Sequence, residues 1–269
     1  MNETKFDAYL ARFGGSRDGH PSLEALESLV RAHVTSIPFE NFDVMDGIPI
    51  SLDVPRFYAK IVENRRGGFC YELNGLFQSL LRHLGYDVIL LQARVRNSVT
   101  KILYPKMSHV TMSVALPHAP ANETRYLVDV AFADALCAPL RLVDGIERAH
   151  PLWDVRLTAS DDDWTVETRD AEEWIERYRF TTNPIDSLDA FAGMLRYHTT
   201  DPEAPFMTAR VCTLLGDDDG RLIFTDRGDD GPRLIEMEPN RGAEKRVNFL
   251  KSAHEVKDVM LKKFNIVVE

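Results

Sequence analysis

Apolar residues in the first third of the chain recur at three- and four-residue spacing, and from Val88 the recurrence shortens to two. Phe6, Tyr9, Leu10 and Phe13 share one helical face, and Gly14-Gly15 ends that helix. Ser22 is placed to cap a second helix that buries Leu23, Leu26, Leu29, Val30 and His33. Pro38 interrupts the pattern in Ile37-Pro38-Phe39-Glu40-Asn41-Phe42, since it biases the preceding residue toward extended backbone. A loop around Gly47 to Pro55 leads into a short helix over Phe57 to Val62. Leu73, Leu76, Phe77, Leu80, Leu81 and Leu84 then mark the buried face of a helix that starts at or next to Cys70.

Beyond this point the pattern reads as strands. Val88 to Val95 is one, its Val88-Ile89-Leu90-Leu91 run predicting burial on both faces. Ser108 to Leu116 alternates, with Val110, Met112, Val114 and Leu116 on one side, and Tyr126 to Phe132 follows after a polar hairpin loop over 117–125. Shorter strands are expected through Trp153 to Arg169, with a turn at Asp161-Asp162-Asp163. After a connector with one helix over Leu188 to Tyr197, three strands follow at Met207–Leu215, Arg221–Thr225 and Arg233–Met237. Ser252-Ala253-His254-Glu255 has capping-box spacing and opens a final helix. The fold class is α+β: a helical region over 1–86, a β-rich barrel or strongly curved sheet over 87–185, and a connecting helix with a meander and helix over 186–269.

Charge narrows the partners. Lys and Arg total 32 against 42 Asp and Glu, a net charge of −10, which argues against general nucleic-acid or anionic-membrane binding but permits a local basic pocket. The polar N-terminus lacks an export signal, and no apolar run is long enough to span a membrane. Three cysteines, odd in number and without such a signal, are expected as reduced thiols in the cytoplasm.

One of the three stands apart. Cys70 follows Arg66-Gly67-Gly68-Phe69 at a helix N-terminus, where unpaired N–H groups and a nearby guanidinium favour thiolate and lower a thiol pKa. Cys137 and Cys212 sit among apolar neighbours as core residues. A nucleophilic thiol needs a base and a group to orient that base. Of the eight histidines, His109 begins an alternating strand on the face opposite Val110, Met112 and Val114, beside the small or polar Thr111, Ser113 and Ala115. A hairpin centred near Ala119 sets His109 opposite Asp129, an acid otherwise unexplained between Val128 and Val130. A slip of one residue would separate the two faces. No zinc spacing, phosphate loop or calcium loop is present, so no metal is expected.

The segment Arg66-Gly67-Gly68-Phe69-Cys70-Tyr71-Glu72-Leu73-Asn74-Gly75 resembles the nucleophile motif of the arylamine N-acetyltransferases. Ile37-Pro38-Phe39-Glu40-Asn41, His109 with its alternating strand, and Leu127-Val128-Asp129-Val130 are similar to other segments of that family, in order along the chain. The resemblance implies a helical bundle, a β-barrel and an α/β lid around a cysteine-protease-like Cys-His-Asp core. It implies a ping-pong reaction in which acetyl-CoA acylates Cys70 and an arylamine, arylhydrazine or N-hydroxyarylamine then takes the acetyl group, as in xenobiotic metabolism. It further implies that Arg66 pairs with Glu40 near Asn41 to hold the cysteine loop. By the same resemblance Phe39 and Phe132 line the amine pocket, and Thr111, Ala131 and Phe206 lie at the cofactor. The family usually carries glycines where this chain has Ala131 and Ala133, so two methyl groups would crowd the path of the cofactor's pantetheine arm.

Three other readings share these residues. An amide synthase would pass a longer acyl chain through the same triad. A transglutaminase-like or papain-like hydrolase would give the acyl group to water. A binding module would keep the fold without using Cys70, His109 and Asp129. Oligomeric state is not readable from the chain.

Overall fold

Local signals close the first helices as their sequences require. In α1 (Glu3–Phe13) the Asn2 side chain accepts from the Lys5 amide at 3.1 Å, and Gly14 ends the helix at φ 71°. In α2 (Leu23–Ser36) the Ser22 hydroxyl accepts from the Ala25 amide at 3.2 Å. The computed structural model describes residues 1–17, 20–97, 100–117, 125–132, 136–161, 163–169, 172–228, 230–239 and 245–268. Residues 118–124 of the expected loop, Ala133 and the centre of the Asp161–Asp163 turn lie outside the described residues.

Two short elements go beyond the apolar pattern: the two-residue strand β1 (Phe39–Glu40) and the helix α3 (Phe42–Met45). After α4 (Val54–Tyr58), one π-helical turn spans Ala59–Glu63, and α5 (Cys70–His83) follows. The main sheet contains β2 (Asp87–Val95), β3 (His109–Ala115), β4 (Tyr126–Val128), β5 (Leu140–Arg141), β6 (Glu147–Arg148), β7 (Asp154–Ser160), β8 (Asp163–Arg169) and β9 (Ile175–Ile185). It runs in the order β5-β4-β3-β2-β9-β8-β7-β6, antiparallel throughout, and curls into a nearly closed barrel. The eleven-residue β9 was not expected, because Arg177, Arg179, Asn183 and Pro184 mask its alternation.

The remaining strands are β10 (Arg210–Leu215), β11 (Arg221–Asp226), β12 (Arg233–Met237) and β13 (Lys245–Phe249). They form a five-stranded sheet, β1-β10-β11-β12-β13, where three strands were expected. The helix α6 (Ala192–Thr200) leads in from the barrel, and α7 (Ala253–Phe264) covers one face of this lid. The predicted Ser252 cap is present, its hydroxyl accepting from the Glu255 amide.

Two apolar cores hold these parts. One is continuous from α1, α2 and α5 into the barrel strands; the other joins Phe42 to Cys212, Leu214, Phe224, Leu234, Met260 and Phe264. In the first, His33 is fully buried against Phe13 and Phe77, its Nε2 2.8 Å from the Tyr9 hydroxyl. Burial holds its pKa down at about 3.

The unfolded chain protonates His33 near pH 6.5 and the folded chain does not until about pH 3. This site's contribution to stability is therefore complete above about pH 6.5 and falls as the pH drops toward 3, by about 1.4 kcal/mol per pH unit. Urea midpoints measured from neutral to mildly acidic pH will decline, and will decline less steeply in His33→Gln.

Candidate active site

The cysteine loop is shaped by a close approach of backbone. The Gly68 amide donates to the Pro38 carbonyl at 3.2 Å and the Glu40 amide to the Gly68 carbonyl at 3.0 Å. A Cβ on Gly67 would lie 2.4 Å from the Pro38 carbonyl oxygen, so a glycine is required there. This pairing sets Cys70 as the first residue of α5, with the Phe69 amide donating to the Glu72 carboxylate at 2.8 Å. A carboxylate in the first turn satisfies an otherwise orphan N–H and complements the helix dipole.

The thiol itself departs from expectation. Burial pushes Cys70 well above the ordinary thiol value and the Asp129 charge pushes it further, while the Tyr71 amide pulls weakly the other way. At 4% exposure, desolvation outweighs the helix terminus. A thiolate here must form together with a cation, by proton transfer to a neighbouring base.

A candidate base lines the same cavity as Cys70. His109 Nε2 lies 2.6 Å from Asp129 Oδ2, both side chains buried. The register differs from the expected one: Ser113 faces Leu127 and Met112 faces Val128, where β4 ends, so Asp129 follows the strand instead of standing opposite His109. A shift of two residues preserves the face, and the pair meets on a diagonal. Asp129 also accepts from Asn74 Nδ2 at 2.9 Å, the Ala131 amide at 3.0 Å and the Tyr178 hydroxyl at 3.2 Å. With Nε2–H donated to this carboxylate, the lone pair of neutral His109 is on Nδ1.

Arg66 makes the expected contact with Glu40 at 2.8 Å and a second with Asp43 at 2.9 Å. Asn41 serves a different segment from the one expected. Its Nδ2 donates to the Phe206 and Ala209 carbonyls at 2.9 and 2.7 Å, and its Oδ1 accepts from the Val211 amide at 2.6 Å, so it ties β1 to the lid.

A cavity of about 820 Å³ is lined by Cys70, His109, Phe39, Phe132, Ala131, Phe206 and His198 at its inner end. Phe39 rests on Phe69 and Phe206, and Phe132 meets the His109 ring edge-on at 5.4 Å. Thr111 is the exception among the expected contacts. It is fully buried, donates its hydroxyl to the Val128 carbonyl and does not line the cavity, so a cofactor contact is withdrawn from it. The outer arm is basic: Arg96, Lys101 and Arg177 from the barrel side and Arg221, Arg227 and Arg233 from the lid, with Glu176, paired to Arg96 at 2.7 Å, and Glu203 as the acids among the described lining residues. Among the described residues, no group of three or more His, Cys, Asp or Glu is placed to hold a metal ion, and no helix is long and apolar enough to cross a membrane.

Several residues escaped the sequence reading. Asn74 lies four residues after Cys70, hence on the same helical face, a signal that was available. Tyr178 sits on the unpredicted β9, and the outer arginines lie far apart in sequence. His198 lines the inner cavity with Nε2 donating to the Ser108 carbonyl at 3.1 Å; burial holds its pKa at about 4.

Comparison with known proteins bears on what this arrangement does. The N-acetyltransferase family model matches residues 22–269. An arylamine N-acetyltransferase of Mycolicibacterium smegmatis is 36% identical over 261 residues, 96% of this chain and 90% of that protein. The solved structure of the Salmonella typhimurium arylamine N-acetyltransferase covers all of this chain and 93% of its own at TM-score 0.88 and 27% identity. The Mycobacterium marinum arylamine N-acetyltransferase, solved in complex with CoA, matches at TM-score 0.84 and 30% identity over 97% of this chain and 92% of its own.

Asn74→Ala removes two hydrogen bonds donated to buried acceptors and the partner of the Val130 amide. A loss of about 2–3 kcal/mol in unfolding free energy is expected, readable by urea denaturation. At a pH and temperature where the variant remains folded, alkylation of Cys70 should also slow.

Proposed function

The chain belongs to the arylamine N-acetyltransferase family, and we propose that Cys70, His109 and Asp129 are its catalytic triad. The enzyme transfers an acetyl group from acetyl-CoA to arylamines. His109 Nδ1 takes the Cys70 proton as sulfur attacks the thioester carbonyl, so the thiolate is generated beside the imidazolium that stabilises it. Asp129 keeps Nε2–H directed at itself and balances the imidazolium charge. Collapse of the tetrahedral intermediate breaks the carbon–sulfur bond to CoA, and the imidazolium proton goes to the departing thiolate. In the second half, the amine attacks acetyl-Cys70, its proton passes to His109, and Cys70 leaves to regain that proton. The Cys70 amide at the start of α5 is the natural donor to the oxyanion. Arylhydrazines and N-hydroxyarylamines are acceptors of the same class.

The observation that carries this reading is the buried His109–Asp129 pair opening onto the same cavity as Cys70. Aromatic Phe39 and Phe132 suit an aryl acceptor at the inner end. The basic outer arm suits the phosphates of CoA on a chain whose net charge is otherwise −10. Ala131 lines the same cavity, where its methyl group narrows the room left for the pantetheine arm of the donor. A thiol that must stay reduced supports a cytoplasmic location for the enzyme.

Intact-protein mass spectrometry after mixing with acetyl-CoA alone tests the chemistry. One acetyl group is expected on the native protein and none on Cys70→Ser, whose turnover should fall at least about 1,000-fold. Loss of the adduct only when an arylamine is added supports the transferase; equal loss in its absence would instead mean hydrolysis. An adduct from longer acyl thioesters but not from acetyl-CoA would favour an amide synthase. Because the outer arm recognises charge, the KM for acetyl-CoA should rise with ionic strength. That for p-nitrophenyl acetate, which has no phosphate, should not.

A further inference from the structure

Behind the nucleophile lies a buried group of charges that the triad does not use. Lys60 Nζ is 2.8 Å from Glu72 Oε2, 2.8 Å from Asp43 Oδ2 and 3.7 Å from Glu40 Oε1. Arg66 joins Glu40 and Asp43 from the other side. Three carboxylates thus share two cations, and Glu40, Asp43 and Glu72 all have below one-tenth of their surface exposed. Burial opposes the Lys60 charge, yet Glu40, Glu72 and Asp43 together hold its pKa above the ordinary lysine value. Lys60 is therefore a fixed cation.

Its position follows from an unusual piece of backbone. Lys60 lies in the π-helical turn Ala59–Glu63, and its carbonyl accepts from the Arg66 amide at 3.1 Å. Such turns are rare and recur at functional sites. Here the turn delivers an ammonium to the one carboxylate oxygen that also caps the nucleophile helix. Glu72 Oε2 accepts from both Lys60 Nζ and the Phe69 amide, each at 2.8 Å. Left alone, a carboxylate this buried would favour its neutral form, and burial does raise the Glu72 pKa even with Lys60 pulling against it. Loss of its charge would weaken the bond to the Phe69 amide next to Cys70. Retention of its charge without Lys60 would leave an unopposed anion two residues from the thiol. Both outcomes disfavour a reactive thiolate.

We propose that Lys60 is a positioning residue for the nucleophile, acting through Glu72 to fix the first turn of α5 and to offset the carboxylate charge beside Cys70. The inference rests on Cys70 being the nucleophile. The titratable groups around the thiol are Asp129 from the barrel, Glu72 and Tyr71 from its own helix, and His109 and His198 in the same cavity; Lys60 reaches it through its ion pair with Glu72, and Arg66, Glu40 and Asp43 are linked to that pair through the contacts of Glu40 and Asp43 with Lys60.

The test is the pH dependence of alkylation by iodoacetamide, resolved to each cysteine by peptide mass spectrometry, alongside steady-state kinetics with acetyl-CoA. In the native protein Cys70 should react well ahead of Cys137 and Cys212; if it does not, the nucleophile assignment itself fails. In Lys60→Met, alkylation of Cys70 near pH 7 should slow about tenfold and its pH midpoint should move up by about one unit, since one unit corresponds to a tenfold change. The apparent kcat should drop with it, and the KM for acetyl-CoA should change less than about twofold. Glu72→Gln added to Lys60→Met keeps an oxygen for the Phe69 amide and returns the cluster to its native net charge, so most of the reactivity should return. A folded Lys60→Met with native alkylation would overturn the proposal, as would a double variant no better than the single one. Unfolding of both variants would also overturn it, because it would assign Lys60 to the stability of the bundle instead of the cap.

Discussion

A carboxylate without access to water must be surrounded by donors, and the catalytic geometry grows from how this chain meets that demand at Asp129. Its four donors come from four places: His109 on β3, Asn74 on α5, Tyr178 on β9 and the Ala131 amide just after β4. No single element could satisfy the acid. Burying it therefore fixes the helix that carries the thiol against the strand that carries the imidazole. Asn74 is the hinge of this arrangement, since it also donates to the Val110 carbonyl and accepts from the Val130 amide. The continuous core beneath α5 and the barrel supplies the apolar burial that makes so polar a junction affordable.

Electrostatics around the thiol run against the simple helix-terminus argument. Desolvation and Asp129 both oppose the anion, and the orphan N–H groups of α5 do not overcome them. In the proposed triad, charge appears on sulfur as the proton moves to His109, which ties activation of the thiol to an intact His109–Asp129 pair. The same reasoning separates Cys70 from Cys212, also buried, which faces Glu40 across β1 and β10 and has no base in hydrogen-bonding reach among its described contacts. Burial is common to both cysteines; what differs is that Cys70 lines a cavity with His109 and Cys212 is not among that cavity's lining residues.

How much of this was legible depends on whether the signal was local. Caps at Ser22 and Ser252, the Gly14 stop and the helix beginning at Cys70 all follow from short-range rules, and they stand where those rules put them. His109 and Asp129 were found by face alternation, which survives an error of two residues in register. Strands β9 and β13 were missed for opposite reasons: β9 carries arginines and a proline among its apolar positions, and β13 is an exposed edge strand with Lys245 and Arg246. Thr111 was expected at the cofactor by resemblance, and alternation could not correct this because it gives the face of a side chain but not the depth at which it lies. Glu40 and Arg66, 26 residues apart, meet beside Lys60 only once the chain has folded back, and nothing in the spacing of Glu40, Asp43 and Lys60 announces it.

The segment from Phe39 to Phe42 shows why such a site resists reading from pattern. Four successive residues point to four environments: Phe39 to the cavity, Glu40 to the buried charges, Asn41 to the lid backbone and Phe42 to the lid core. No period of two or of 3.6 describes that sequence of demands, so it registers only as a break after Pro38. Yet these residues join the two cores, since β1 pairs with β10 in the lid while Phe39 forms a bridge to Gly68 in the Cys70 loop. The inner end of the cavity is consequently tied to the lid through this segment, and the outer arm is built partly from a lid that also meets the bundle through Arg31–Asp219 and Arg65–Asn265. That division matches the two halves of the donor: a small thioester that must meet sulfur within bond-forming distance, and a charged nucleotide whose recognition tolerates a looser fit. Precision is needed only at the thioester, and the lid's ties to β1 are most direct there, through Asn41 to Phe206, Ala209 and Val211.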